Sequence, residues 1–167
     1  MNDVNTKSPK TDYKKKPHFN IYKPLKKADA GAALQFSYDA GKQAIFLEAT
    51  KQKGAKLPVG DKAQFDWVNK IVFKLGVVDL GALLMFFNGR SKEVKLLHSN
   101  EDRTRITAME LKPGSEFNGK PTFAFKLGRT LKGGDSSYVQ MYLSQEELAL
   151  LAHFARESLT RMFGFGD

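Results

Sequence analysis

The sequence predicts an α+β fold: two antiparallel four-stranded β-sheets, each followed by a helix. Three observations lead there. Sliding the chain by 68 residues aligns Leu75 with Leu143, Leu80 with Leu148, Leu83 with Leu151 and Phe86 with Phe154, and it pairs Asp79 with Glu147 and Ile71 with Val139. Within each unit of this repeat, strand-like segments come first and a helical stretch last, which argues against a parallel α/β sheet. The 167 residues suffice for one sizeable core and are too few for two comfortable ones.

The elements follow in order. Residues 1–27 read as a basic, disordered tail and residues 28–167 as the folded domain, although Phe19, Ile21 and Tyr22 suggest a short extended segment before Pro24. Leu34, Phe36 and Tyr38 share one face of a strand spanning 32–38, Asp39 to Lys42 is a turn, and Gln43 to Thr50 returns as a hairpin. Residues 51–62, with Gly54, Pro58 and Gly60, read as a basic loop. From Asn69 to Leu75, Ile71, Phe73 and Leu75 oppose Lys70, Val72 and Lys74. Asp79 is placed to cap a helix from Leu80 to Asn88 that Gly89 ends. Four strands are predicted next, at Glu93 to His98, Arg103 to Leu111, Thr122 to Arg129 and Tyr138 to Leu143. Ser144 with Glu147 three residues on has capping-box spacing, and Leu148, Leu151, Ala152, Ala155 and Leu159 form the stripe of a final helix.

Composition narrows the function classes. The chain has no cysteine, so disulfides, thiolate nucleophiles and Cys-based zinc sites are excluded. His18, His98 and His153 show no metal-ligand spacing, and no metal or cofactor is expected. The longest apolar run, Val77 to Phe87, contains Asp79 and is about half a membrane span. The amino-terminal residues have neither the apolar stretch of a secretory signal nor the arginines of a transit peptide, so a cytoplasmic location is expected. Of the net charge of +9, most lies in residues 1–27, where eight Lys oppose two Asp. Such a tail attracts polyanions without reading their sequence.

Enzyme motifs are missing. The chain contains no GxGxxG, Walker loop or GxSxG elbow. Gly133 and Gly134 fit a hairpin turn, Glu101 and Asp102 a solvated loop, and His98 has no nucleophile or acid assigned near it. Binding chemistry is better represented, because single strands need cations for phosphates and aromatic faces for unstacked bases. Lys70 and Lys74 share a strand face; Lys126 faces away from Phe123, Phe125 and Leu127; Tyr138, Gln140 and Tyr142 oppose Val139, Met141 and Leu143; Arg103 and Arg105 add a cationic pair. Cations on outer strand faces also serve solubility and edge protection, and paired Tyr also suits a half-buried sheet. Neither helix is basic enough to read duplex DNA, and the apolar first helix belongs in a core or a subunit contact.

The order of elements and the strings Asp79-Leu80-Gly81-Ala82-Leu83-Leu84, Asn88-Gly89, Val94-Lys95-Leu96-Leu97-His98 and Leu143-Ser144-Gln145-Glu146-Glu147 resemble the Whirly superfamily over roughly Ala32 to Phe163. That group includes plant Whirly proteins, kinetoplastid guide-RNA-binding proteins and smaller transcriptional coactivators with phage and bacterial relatives. The resemblance implies two sheets packed roughly perpendicular, a homotetramer assembled through the helices, and single strands laid across the sheets. The plant signature Lys-Gly-Lys-Ala-Ala-Leu is matched by Ala40-Gly41-Lys42-Gln43-Ala44-Ile45, without its first Lys. This departure argues against plant-type higher-order particles and for a bacterial or phage type.

Together these readings give a non-enzymatic, sequence-tolerant single-stranded DNA-binding protein of replication, recombination or transcription. An RNA-binding or annealing protein and a structural oligomer are the alternatives. The expected contacts are Lys42, Lys70, Lys74, Arg103, Arg105, Lys126, Arg129, Tyr138 and Tyr142, with Trp67 and Phe46 as stacking candidates and Lys14, Lys15 and Lys16 adding non-specific affinity.

Overall fold

A computed structural model describes residues 17–55 and 62–165. Lys14, Lys15 and Lys16 lie outside them. The first half contains β1 (His18–Lys23), β2 (Ala32–Asp39), β3 (Ala44–Lys53), the two-residue β4 (Gln64–Phe65), β5 (Ile71–Leu75) and helix α1 (Val77–Phe87). The second contains β6 (Val94–Ser99), β7 (Arg105–Pro113), β8 (Phe123–Leu131), β9 (Ser136–Leu143) and helix α2 (Gln145–Met162). All pairings are antiparallel: β1-β2-β3-β5 in one sheet and β6-β7-β8-β9 in the other. The predicted pair of four-stranded sheets, each followed by a helix, is present.

Three of the boundaries that differ from the sequence reading do so for a clear local reason. Strand β1 lies ahead of residue 28, pairs along its whole length with β2 and buries Ile21, so the folded body reaches back to His18. Strand β3 continues through Lys53, into the segment read as loop, because β4 pairs with its end. There Thr50 Oγ1 donates to the Asp66 carbonyl (2.6 Å) and Asp66 N–H to the Lys51 carbonyl (2.9 Å). Helix α1 starts at Val77 rather than Leu80, so Asp79 is the third helical residue and Gly76 the cap. The Asp79 carboxylate accepts the Gly76 N–H (2.9 Å), satisfying one of the donors a helix start leaves open.

The 68-residue repeat is physical. In α2, Ser144 is the cap, its N–H donates to Glu147 Oε2 (2.8 Å), and Glu147 N–H donates to Ser144 Oγ (3.2 Å). Gly76 and Ser144 occupy equivalent positions, as do Asp79 and Glu147. Both helices end in a Schellman motif: Gly89 (φ 69°) and Gly164 (φ 75°) take the left-handed position, with Arg90 N–H returning to the Met85 carbonyl and Phe165 N–H to the Thr160 carbonyl.

The halves interlock through their last strands. β5 packs on β7 and β8 of the second sheet, and β9 packs on β2 and β3 of the first, the same contact seen from each side. The helices pack on each other, with Arg156 Nη2 donating to Asn88 Oδ1 (3.0 Å). One cluster results, joining Phe36, Leu47 and Phe73 of the first sheet, Met109, Phe125 and Leu127 of the second, and Leu80, Leu83, Leu151 and Ala155 of the helices. Fully burying a Leu or Phe contributes about 1.5–3 kcal/mol, so this shared cluster dominates stability. Helix α1 buries Leu80, Leu83 and Phe86 but leaves Val78 86% exposed and Met85 45% exposed.

Replacing Ser144 by Ala removes the cap of α2 and should cost about 1 kcal/mol in urea unfolding. Ser136→Ala, at an exposed strand end, should change stability by less than about 0.5 kcal/mol.

Candidate nucleic-acid interface

Strand alternation gives each sheet one covered and one open face. On the open face of the second sheet, cross-strand register forms rows running from β6 to β9. One is Leu97, Ala108, Gly128 and Tyr138; the next is Lys95, Glu110, Lys126 and Gln140. Tyr138 and Tyr142 are about half exposed on this face, as the alternation predicts. Two ammonium groups lie over the Tyr138 ring, Lys126 Nζ at 4.9 Å and Lys51 Nζ at 5.3 Å from its centroid. On the open face of the first sheet, Phe46 stands opposite Lys74, and Lys42 Nζ lies 5.1 Å from the Phe46 ring centroid.

The covered face of the second sheet changes character along its strands. Phe125 and Leu127 on β8, and Leu111 and Met109 on β7, enter the core. The next row, His98, Thr107, Arg129 and Ser137, is polar and meets the flank of β5. His98 stacks on Phe73 (centroids 4.2 Å apart), and its Nε2 donates to Asp79 Oδ1 (3.2 Å). This ties the second sheet to the start of α1 through a residue considered as a general base. The Arg129 guanidinium makes no hydrogen bond or ion pair with any described residue, and its Nε is buried without an acceptor.

Three grooves meet here. The first, about 300 Å³, lies between the sheets and is lined by Phe46, Lys70, Lys74, Arg105 and Arg129 among others. The second, about 180 Å³, is lined by Lys51, Asn69, Arg129 and Tyr138. The third, about 310 Å³, runs over the open face of the second sheet between Leu97, Lys126 and Tyr138. Arg129 borders all three, and Ser137 and Tyr138 border the second and third, so the grooves adjoin around this end of β8 and β9 and together are termed the track. Its cations are not all free: Lys70 Nζ is paired with Glu48 Oε1 at 2.8 Å. Outside the track, Lys95 donates to Glu93 (2.9 Å), a bond that raises the lysine pKa and lowers the glutamate's.

Eleven of the expected residues lie among the described residues and can be compared with this track. Phe46, Lys70, Lys74, Arg105, Arg129, Lys126 and Tyr138 line it, while Lys42 flanks it and Tyr142 shares the open sheet face. Two expectations need correction. Arg103 is not on a strand: it occupies the β6–β7 turn with φ 54°, its N–H bonded to the Asn100 carbonyl (3.0 Å), and β7 begins at Arg105. Trp67 is half-buried in a single 3-10 turn, Trp67–Asn69, and lines none of the three grooves. Lys51, Asn69, Leu97, Glu110 and Gly128 line the track without having been expected. Lys51 lies one residue beyond the strand read as ending at Thr50.

The chain adopts a Whirly-like fold. It superimposes on MRP1/MRP2 of Trypanosoma brucei with a TM-score of 0.68 at 20% identity, covering 90% of this chain and 88% of that one. It superimposes on WHY1 from Arabidopsis thaliana with a TM-score of 0.67 at 18% identity, covering 90% and 86%. The plant transcriptional regulator PBF-2 gives 0.67 at 17% identity, covering 95% and 86%. At these identities the likeness carries the fold alone. No protein-family profile and no curated protein sequence matches the chain.

A guanidinium held in a groove without an acceptor is a cost to folding that an isosteric apolar side chain avoids. Arg129→Met should therefore leave the unfolding free energy unchanged or raise it by about 1 kcal/mol in urea titrations. A loss of roughly 2 kcal/mol or more would show that the guanidinium is a structural partner instead.

Proposed function

We propose that this protein binds single-stranded DNA with little dependence on sequence, along the track that crosses from one sheet to the other. The observation that carries the reading is the convergence on Arg129: three adjoining grooves border it, and their linings contain both cations and aromatic rings. Phosphates would be held by Lys74, Arg105, Arg129, Lys51 and Lys126, and unstacked bases by Phe46, Tyr138 and Tyr142. A duplex fits poorly, since neither helix offers a basic face and the rings lining the track act on separated bases. The likeness to a plant transcriptional regulator and to MRP1/MRP2 supports this reading without selecting a pathway among replication, recombination and transcription. A homotetramer assembled through the helices belongs to the same proposal, on the exposed Val78 and Met85 of α1. A bacterial or phage-type protein of the cytoplasm goes with it and rests on the sequence alone.

Fluorescence anisotropy with a labelled mixed-sequence strand, its duplex and the RNA equivalent, each across a salt series, tests the proposal. The single strand should bind far more tightly than the duplex. Arg105→Ala with Arg129→Ala should flatten the log–log salt slope by roughly 1.4, at about 0.7 per phosphate released. Tyr138→Ala should cost about 1–3 kcal/mol. Deleting residues 1–16 should weaken binding and leave the strand preference intact. Equal, weak binding to all three ligands that vanishes near physiological salt would overturn the proposal, and tighter RNA binding would reassign it to RNA.

A further inference from the structure

The groove on the open face of the second sheet carries an acidic residue where a phosphate-binding surface has no use for one. Glu110 lines it, half-buried, between two lysines in its own register row, Lys95 on β6 and Lys126 on β8. Neither lysine is bonded to its carboxylate. The Lys95 ammonium is bonded to Glu93 (2.9 Å) and feels the Glu110 charge only through space, the Lys126 ammonium lies over the Tyr138 ring (4.9 Å), and the Glu110 carboxylate makes no hydrogen bond or ion pair with any described residue. Its two oxygens are open acceptors in a groove whose other charged residues, Lys126 and Arg129, are cationic.

The adjacent row has the shape of a slot. Leu97 (70% exposed) and Tyr138 (52% exposed) form its walls, on strands about 14 Å apart at roughly 4.8 Å per step. Ala108 and Gly128 form the floor between them. Packing does not demand the glycine: a Cβ at Gly128 would find its nearest neighbours at 3.7 and 3.8 Å, ordinary van der Waals contacts. What the missing side chain does is keep the floor low. A base resting against Tyr138 over this floor directs an edge toward Glu110, two residues along β7 and so about 7 Å away.

We propose that this slot receives one unstacked nucleobase and that the Glu110 carboxylate reads its edge, favouring bases that present N–H donors. Guanine fits best, because its N1–H and N2–H point the same way and can meet both carboxylate oxygens. Cytosine and adenine offer one amino group each. Thymine and uracil flank their single N–H with two carbonyl oxygens that a carboxylate repels. The protein would then be sequence-tolerant along most of its track and selective at one position. Glu110 is a specificity-determining residue in this scheme, and the scheme rests on single-strand binding as proposed above.

The test compares three labelled strands by anisotropy: an all-thymidine strand, one with isolated guanines spaced by thymines, and the same strand with hypoxanthine at each guanine. Wild-type protein should prefer guanine over thymine by roughly tenfold, the scale of a good bidentate base contact. Hypoxanthine, which lacks the N2 amino group, should recover only part of that gain. Glu110→Gln should remove most of the preference and tighten all-thymidine binding, since a negative charge that repels thymine carbonyls and phosphates is lost. Gly128→Val, which raises the floor with a residue suited to a strand, should lower affinity for all three strands while circular dichroism and thermal melting stay as in wild type. Equal wild-type affinity for guanine and thymine strands, or a preference that Glu110→Gln leaves intact, overturns the inference while single-strand binding stands. Failure to bind any strand overturns the proposed function and this inference together.

Discussion

The structure depends on one packing constraint: neither sheet can cover its own apolar face. The helix that follows each sheet leaves part of that sheet's apolar face uncovered. Here the last strand of each half supplies what the other half lacks, β5 lying on β7 and β8, and β9 on β2 and β3. The two helices close the remaining side of the same cluster. Because one core serves both sheets, each keeps an entire face open, and the open faces meet beside β5. The binding track is a consequence of how the core is shared.

The same alternation that builds the core also delivers the cations. On β8, Phe125 and Leu127 point into the cluster, and Arg129, two residues later, points the same way after the strand has run past the cover that β5 provides. On β7, Met109, Thr107 and Arg105 repeat the transition from apolar to polar to charged. No loop or insertion is needed to place these groups, which suits a site that must hold its geometry before the ligand arrives. The accompanying cost is visible at Arg129 Nε, a buried donor without an acceptor. Asn20 Oδ1 is likewise buried and unpaired, and nothing in the structure explains it.

Much of this was legible in the sequence because it is local or periodic. Ser144 with Glu147, Gly89 after α1, and the Tyr138-Gln140-Tyr142 alternation each declare themselves within a few residues. The repeat paired Asp79 with Glu147 before any geometry was known, and both prove to bond the cap residue of their helix. The position of Asp79 in the first turn was misread because Val77 and Val78 are β-branched and look like the end of a strand. Other features escaped because they are not local. That Phe46 and Arg129 line one groove depends on how two sheets meet, and strand periodicity cannot carry that information. Lys51 was hidden by a loop-like composition that the pairing of β4 with β3 overrides. Trp67, a stacking candidate by residue type, is half-buried in a turn that the sequence pattern does not mark.

The distribution of charge bears on how such a surface discriminates. Beyond residue 27 the chain carries 19 basic and 16 acidic side chains, so the folded part presents no strong overall field to a polyanion. Long-range attraction must come mainly from the lysines of residues 1–27, and it fades beyond a Debye length of about 8 Å at physiological salt. At the track itself the cations are few, and carboxylates stand among them, Glu48 against Lys70 and Glu110 between two lysines. A surface of that kind holds a rigid, densely charged duplex weakly, because it cannot match many phosphates at once. It favours a flexible strand that can turn each base toward a ring and each phosphate toward an arginine. Selectivity for single strands then arises from where the two open faces place their aromatic and cationic groups, with net charge contributing mainly to the encounter.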